Sequence, residues 1–114
     1  MFTGIIETVG VVAEVRAKGN YQVLAVTSSL PAEDIQIGES IDCQGACLTV
    51  IGRQKDRFEV EISQETAATV DMSRFTVGRR INLERAVQAG GRLGGHLVSG
   101  HVDTIGRVMH LKPI

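Results

Sequence analysis

The sequence predicts an all-β fold, a small six-stranded antiparallel β-barrel of Greek-key type with one or two short helices. Three observations predict it. Short runs rich in Val, Ile and Thr alternate with polar residues at a period of two, the pattern of half-buried strands. Turn residues interrupt these runs at about ten-residue intervals, as they do in small barrels and sandwiches. The 114 residues are 43% hydrophobic with no long apolar run, enough for one core but not two. Closure into a barrel removes the free edges that a small sheet would expose, and an open sandwich is the alternative.

The elements follow in order. Thr8 to Val15 is apolar and β-branched around Gly10, and a glycine within a strand marks a bulge or a close backbone approach. Lys18-Gly19-Asn20 is a turn. Tyr21, Val23, Ala25 and Thr27 then alternate with Gln22, Leu24, Val26 and Ser28 in a second strand. Pro31 followed by Glu33 and Asp34 predicts a single helical turn before Gly38. Ser40 to Val50 reads as two strand runs about Gln44-Gly45, a tight hairpin that brings Cys43 and Cys47 near one another. After the turn at Gln54-Lys55-Asp56, Phe58, Val60 and Ile62 alternate with Glu59 and Glu61. Ser63 is placed to cap a short helix running to Val70. Phe75, Val77 and Gly78 lead into a last alternating strand, Arg80 to Ala86. Gln88 to Gly95 holds four glycines in eight residues and reads as a flexible linker.

The opening residues return near the far end. With the numbering shifted by 96, Thr3-Gly4 meets Ser99-Gly100, Ile6-Glu7-Thr8-Val9-Gly10 meets Val102-Asp103-Thr104-Ile105-Gly106, and Val12 and Val15 meet Val108 and Leu111. A fixed-offset repeat marks the start of a structural unit. The expected organisation is a barrel over residues 1–88, a Gly-rich linker over 89–97, and over 98–114 the first strand of a truncated second barrel. The chain then reads as a piece of a tandem-domain protein about twice as long.

Composition excludes several functions. The net charge of −1 is not the basic footprint of a nucleic-acid binder, and one tyrosine, three phenylalanines and no tryptophan make a poor stacking platform for bases. Residues 1–72 hold eleven acidic and five basic side chains and residues 73–114 two and seven; in a small barrel such halves lie side by side and neutralise each other. No signal segment or membrane span is evident, so a cytoplasmic protein is expected, with no membrane partner. Cys43 and Cys47 are then free thiols. A C-x₃-C pair without a second pair, and His96, His101 and His110 without finger spacing, predict no metal site.

No Ser-His-Asp triad, metal cluster or paired catalytic carboxylates stand out. What the chain offers is hydroxyls, backbone-exposing glycines and one histidine: Thr3-Gly4, Ser40, Cys47 to Thr49, Ser63 to Thr66 and Ser99-Gly100-His101. Such groups suit a neutral, hydrogen-bond-rich heterocycle better than a phosphate or a cation.

Met1-Phe2-Thr3-Gly4-Ile5-Ile6-Glu7, Cys47-Leu48-Thr49-Val50, Asn82-Leu83-Glu84-Arg85-Ala86 and Gly94-Gly95-His96-Leu97-Val98-Ser99-Gly100-His101-Val102-Asp103 together closely resemble the N-terminal half of the riboflavin synthase family, over essentially the whole chain. The resemblance implies two tandem six-stranded barrels per subunit, a trimer of full-length subunits, and dismutation of two 6,7-dimethyl-8-ribityllumazine molecules to riboflavin and 5-amino-6-ribitylaminouracil. It implies neither a metal nor an external cofactor. Gln44 departs from the asparagine expected before the glycine, and Asp42-Cys43 is an unusual lead-in to the hairpin.

By matching motif, the resemblance assigns ligand contacts to the backbone of Gly4, Ile5 and Ile6. It assigns the rest of a lumazine or flavin site to Cys47, Leu48 and Thr49, to Glu61, Ile62, Ser63, Gln64, Glu65 and Thr66, and to Gly100, His101 and Val102 at the start of the second unit. Each active site of the family forms between an N-terminal barrel and another subunit's C-terminal barrel, so this chain supplies half of one and is expected to bind with little turnover. Ser40 and His101 are the candidates for proton handling, since a hydroxyl can relay a proton and an imidazole titrates near neutrality. The alternatives are a locally bonded strand hydroxyl and a half-exposed linker histidine. Cys47 reads as a pocket wall, with no base evident beside it. A non-catalytic lumazine or flavin carrier of the antenna type is the competing function. An apolar face left for a second barrel predicts a homodimer of the isolated chain.

Overall fold

The computed structural model describes residues 1–114. Six strands, β1 (Thr8–Lys18), β2 (Tyr21–Thr27), β3 (Ser40–Cys43), β4 (Ala46–Gln54), β5 (Arg57–Ile62) and β6 (Arg80–Arg85), close an antiparallel barrel in the order β1-β2-β5-β4-β3-β6. Three pairings join consecutive strands, while β2–β5, β3–β6 and β1–β6 do not, which is Greek-key wiring. Single 3₁₀ turns at Ala32–Asp34 and Met72–Phe75 and one short helix, α1 (Gln64–Thr69), fill the longer connections. No helix is long and apolar enough to cross a membrane.

The period of two builds the core. Ile41, Leu48, Val50, Phe58, Val60, Ile62, Ile81 and Leu83 point inward to meet Leu24 and Val26. Ala67 and Val70 of α1, with Met72 and Val102, pack against this cluster. On β2 the expected two-faced alternation gives way to four consecutive buried residues, Val23 to Val26. Ion pairs Arg16–Glu59 (2.7 Å) and Arg57–Glu14 (3.3 Å) join β1 to β5, the strands on either side of β2. They roof its outer face, where small Ala25 sits opposite Glu14 and Glu59.

Gly10 is a close approach and not a bulge. A Cβ there would lie 2.7 Å from Leu83 Cδ1, 2.8 Å from Val26 Cγ1 and 3.0 Å from the Thr27 carbonyl. The β1 register shift falls between Val12 and Glu14, and a second falls between Val50 and Gly52.

The Gln44-Gly45 hairpin forms with both residues at positive φ, 52° and 90°, as a two-residue turn matched to strand twist requires. The glutamine is held by β6: its N–H donates to the Asn82 carbonyl (2.8 Å) and its Oε1 accepts from the Asn82 N–H (2.9 Å). The turn does not bring the two thiols to one face. Cys43 points into the core, whereas Cys47 faces outward opposite Asp42, because four residues about a two-residue loop place them one step out of register.

Ser63 caps α1, its Oγ accepting the Thr66 N–H at 3.2 Å. The turn at Met72–Phe75 is absent from the sequence reading; Asp71, which accepts the Ser73 N–H and hydroxyl at 3.1 and 2.6 Å, is the signal that would have found it. Beyond β6 only Val98 enters a β-bridge, with Phe2. Residues 103–114 are exposed and form no strand, having no neighbouring strand with which to share a ladder.

Candidate functional site

The outer face of β3, β4 and β6 is covered by two crossing segments. The first, Met1 to Gly4, is a strap. Glu84 of β6, 3% exposed, accepts the Thr3 N–H (2.7 Å) and hydroxyl (3.0 Å) on Oε2 and the Gly4 N–H (3.1 Å) on Oε1. The Met1 carbonyl accepts the Val87 N–H at 2.9 Å. Gly4 turns at φ 85°, after which Ile5 and Ile6 are 52% and 43% exposed.

The second segment is the run from Leu97 to Val102. Phe2 and Val98 exchange both backbone hydrogen bonds at 2.8 Å, and the two are equivalent positions in the 96-residue repeat. The Gly100 carbonyl then accepts the Cys47 N–H at 2.9 Å. Only glycine fits at this crossing, since a Cβ would stand 2.5 Å from Cys47 Cβ and 2.7 Å from its nitrogen. Between the segments lies a cavity of about 300 Å³ lined by Met1, Phe2, Cys47, Leu97, Val98, Ser99, Gly100 and His101. Val102 lies outside this lining and packs against the hydrophobic core of the barrel.

A second set of groups lies across the outward face of the sheet. Ser40 is opposite Thr49, and Thr49 is opposite Glu61, so hydroxyl, hydroxyl and carboxyl form a row leading to Ser63, exposed Gln64 and Glu65, and half-buried Thr66 at the start of α1. Leu48 and Ile62 do not belong to this surface: they are 2% and 1% exposed, with side chains in the core. Alternation sends their neighbours Cys47, Thr49, Glu61 and Ser63 outward and leaves these two with backbone groups alone to offer.

The structure therefore brings Cys47, Gly100 and His101 together, and separately Ser40, Thr49 and Glu61. Ser40 does not line the cavity that His101 lines. Ile5 lies beside Gly94 and Gly95, in a wide polar groove edged by Glu7, Glu39, Arg85 and Arg92. There Arg85 forms an ion pair with Glu7 at 2.8 Å; the hydrogen bond holds the Glu7 carboxyl below its usual range and raises Arg85. Sequence reasoning missed Phe2, fully buried in the cavity wall, and the buried acids Asp42 and Glu84. The pairing of Phe2 with its own repeat equivalent was the available signal. Burial pushes the Cys43 thiol far up, with Asp42 and Cys47 adding to the rise, so it is an inert core group. No group of three His, Cys, Asp or Glu side chains is arranged to hold a metal ion.

An outward polar row beside a small cavity, on a closed six-stranded barrel, can bind a flat polar molecule along the sheet. Residues 3–86 match the family described as the Lumazine binding domain. The chain belongs to that family. This lumazine-binding domain is 40% identical over 112 residues to riboflavin synthase of Bacillus subtilis (strain 168), a match spanning 98% of the chain and 52% of that protein. It is 36% identical over 113 residues to riboflavin synthase of Actinobacillus pleuropneumoniae, spanning 99% and 53%. The domain thus spans about half the length of the curated relatives it matches. Among solved structures it is similar to LumP complexed with riboflavin and LumP complexed with 6,7-dimethyl-8-(1'-D-ribityl) lumazine, each at a TM-score of 0.76 and 25% identity, covering 91% of this chain and 56% and 58% of the LumP chains.

Proposed function

We propose that this lumazine-binding domain is the N-terminal half of a riboflavin synthase, a transferase that dismutates two 6,7-dimethyl-8-ribityllumazine molecules to riboflavin and 5-amino-6-ribitylaminouracil. The observation that carries the reading is the return of the second repeat onto the first barrel, with Val98 paired to Phe2 and Gly100 seated on Cys47. The 40% identity to a synthase twice as long agrees with it. On this reading residues 1–88 are the binding barrel, 89–97 the linker, and 98–114 the first strand of a second barrel that supplies its neighbours.

Lumazine or riboflavin lies along the outward row. Thr49, Glu61, Ser63 and Thr66 meet its polar edges, Gln64 and Glu65 flank them, and Leu48 and Ile62 contribute backbone only. Gly4, Ile5 and Ile6 offer backbone groups from the strap, and Cys47, Gly100, His101 and Val102 form the far wall. One lumazine loses a proton from its C7 methyl group and the other accepts the resulting carbanion. Holding the two rings together contributes roughly 7–11 kcal/mol to such a step. Ser40 and His101 handle the protons in different places, Ser40 through its row with Thr49 and His101 at the cavity it shares with Cys47.

Because each site takes a second barrel, the isolated chain binds with little turnover, while the full-length protein acts as a trimer in the cytoplasm. Val9 and Val11 of β1, 41% and 38% exposed, give the isolated chain an apolar patch on which two copies pair. The likeness to LumP supports a second reading, a carrier that binds without reacting. A fluorescence titration with riboflavin and the lumazine, with lumazine absorbance followed for turnover in the full-length protein, tests both. Tight binding with turnover supports the synthase, binding without turnover the carrier, and absence of binding refutes the ligand site.

A further inference from the structure

Two acids lie side by side on β3 and β6, one of them the Glu84 that holds the strap. Asp42 of β3 is opposite Glu84 of β6 on one side and Cys47 of β4 on the other. Both acids are buried, at 8% and 3% exposure. Opposed residues on adjacent strands hold their Cβ atoms about 5 Å apart, close enough for two like charges to repel strongly away from water.

The two are satisfied differently. Glu84 accepts three hydrogen bonds from Thr3 and Gly4, a donor set that calls for an ionised, acceptor-only carboxylate. Asp42 Oδ1 is buried with no partner. A charged, unpartnered oxygen there is costly, whereas a carboxylic acid removes the charge. No cation compensates, since none of the four ion pairs of the chain includes either acid. Arg85, next to Glu84 on β6, is engaged by Glu7; Cys43, next to Asp42 on β3, faces the core; and from β4 the facing residue is Cys47, with His101 of the crossing segment on the same cavity. The Gly45 backbone at the hairpin acts in the opposite direction, favouring the ionised form.

We propose that Asp42 is a positioning residue acting through Glu84: while Asp42 keeps its proton, Glu84 holds Thr3 and Gly4 against β6, and when Asp42 ionises the like charge loosens the strap. Burial, with Glu84 adding to it, pushes the Asp42 carboxyl above the ordinary aspartate value, so the transition comes as pH rises through that raised value. The consequence for binding rests on the proposed function, in which Gly4, Ile5 and Ile6 present backbone groups to the ligand.

The experiment is a carbon-13 NMR titration of the Asp42 carboxyl from about pH 3, below the ordinary aspartate value, to about pH 9, with the Thr3 and Gly4 amide signals followed alongside and riboflavin affinity measured at each pH. The expected result is an Asp42 midpoint above the usual aspartate range, the two amides shifting with the same midpoint, and riboflavin binding weakening roughly tenfold across it, the equivalent of one unit of coupling. In Asp42→Asn the amides stay at their low-pH positions and affinity loses this pH dependence. An ordinary Asp42 midpoint, or Thr3 and Gly4 amides indifferent to it, overturns the proposal, and the wild-type titration decides this even if the variant folds poorly. Riboflavin failing to bind at any pH would overturn the ligand reading instead, leaving the amide titration to judge the strap.

Discussion

Replacing Gly100 with alanine tests the crossing on which the site reading depends. The added Cβ would stand 2.5, 2.7 and 2.9 Å from the Cβ, nitrogen and Cα of Cys47. Two of these are backbone atoms of a barrel strand and cannot yield as a side-chain tip can. Forcing a methyl group into a packed contact costs about 1–3 kcal/mol. Against that, docking of the part of the segment beyond the Phe2–Val98 bridge rests on one backbone hydrogen bond, Cys47 N–H to Gly100, contributing about 1 kcal/mol net, and on partial burial of Val102, contributing about 1 kcal/mol. The two sides are comparable, so residues 99–102 lift off while the Phe2–Val98 bridge and the barrel keep their shape. Losing about 2 kcal/mol changes an opening equilibrium about 30-fold. Amide hydrogen exchange should show the Cys47 N–H accelerating by about that factor in Gly100→Ala while Phe58 and Val60, deep in the ladder, keep their protection. Cys47 protection unchanged, or Phe58 and Val60 losing as much as Cys47, would refute the reasoning.

Gly10→Ala meets a harder contact, with Leu83, Val26 and the Thr27 carbonyl all within 3.0 Å of the new Cβ. It should lower stability by about 3 kcal/mol in urea unfolding, and an unaltered midpoint would show that β1 can shift there. Ser63→Ala removes the oxygen that caps α1 through Thr66 and should cost about 1 kcal/mol in the same assay. Because hydrogen bonding to Arg85 lowers the Glu7 carboxyl, its stabilisation is present above the ordinary value of 4.5 and lost as pH falls through the lowered one. Thermal melts of Glu7→Gln should therefore lie below wild type at neutral pH and converge with it in acid; a gap that persists in acid would sink the assignment.

Most of the barrel was legible because its strands obey one rule. Phe58, Val60 and Ile62 point inward and Glu59 and Glu61 outward as the alternation predicts. The Ser63 cap and the turn after Pro31 were visible as local chemistry. What the sequence hid depends on distant partners. The burial of Val23 and Ala25 comes from ion pairs spanning two other strands, and no pattern within β2 announces it. Cys43 and Cys47 separate because the loop length fixes their faces, a matter of counting that proximity in sequence obscured. Leu48 and Ile62 carried a family motif, yet the period of two already assigned them to the core. Glu84 looks like an ordinary strand acid until the strap bonds to it, and Asp42 until the register sets it opposite Glu84.

The bridge between Phe2 and Val98 has a meaning for how such a chain is assembled. An antiparallel pair in which each residue gives the other its N–H and its carbonyl has a two-fold axis through its middle, and here the paired residues are counterparts 96 positions apart. In a dimer of single units about that axis, residue 2 meets residue 2. Joining two copies of the gene then leaves this contact as it was and asks only for a tether from the end of β6 to the next copy's strap, the stretch from Ala86 to Leu97. On that arrangement the glycines would serve reach, and the recognition between halves would reside in the Phe2–Val98 contact.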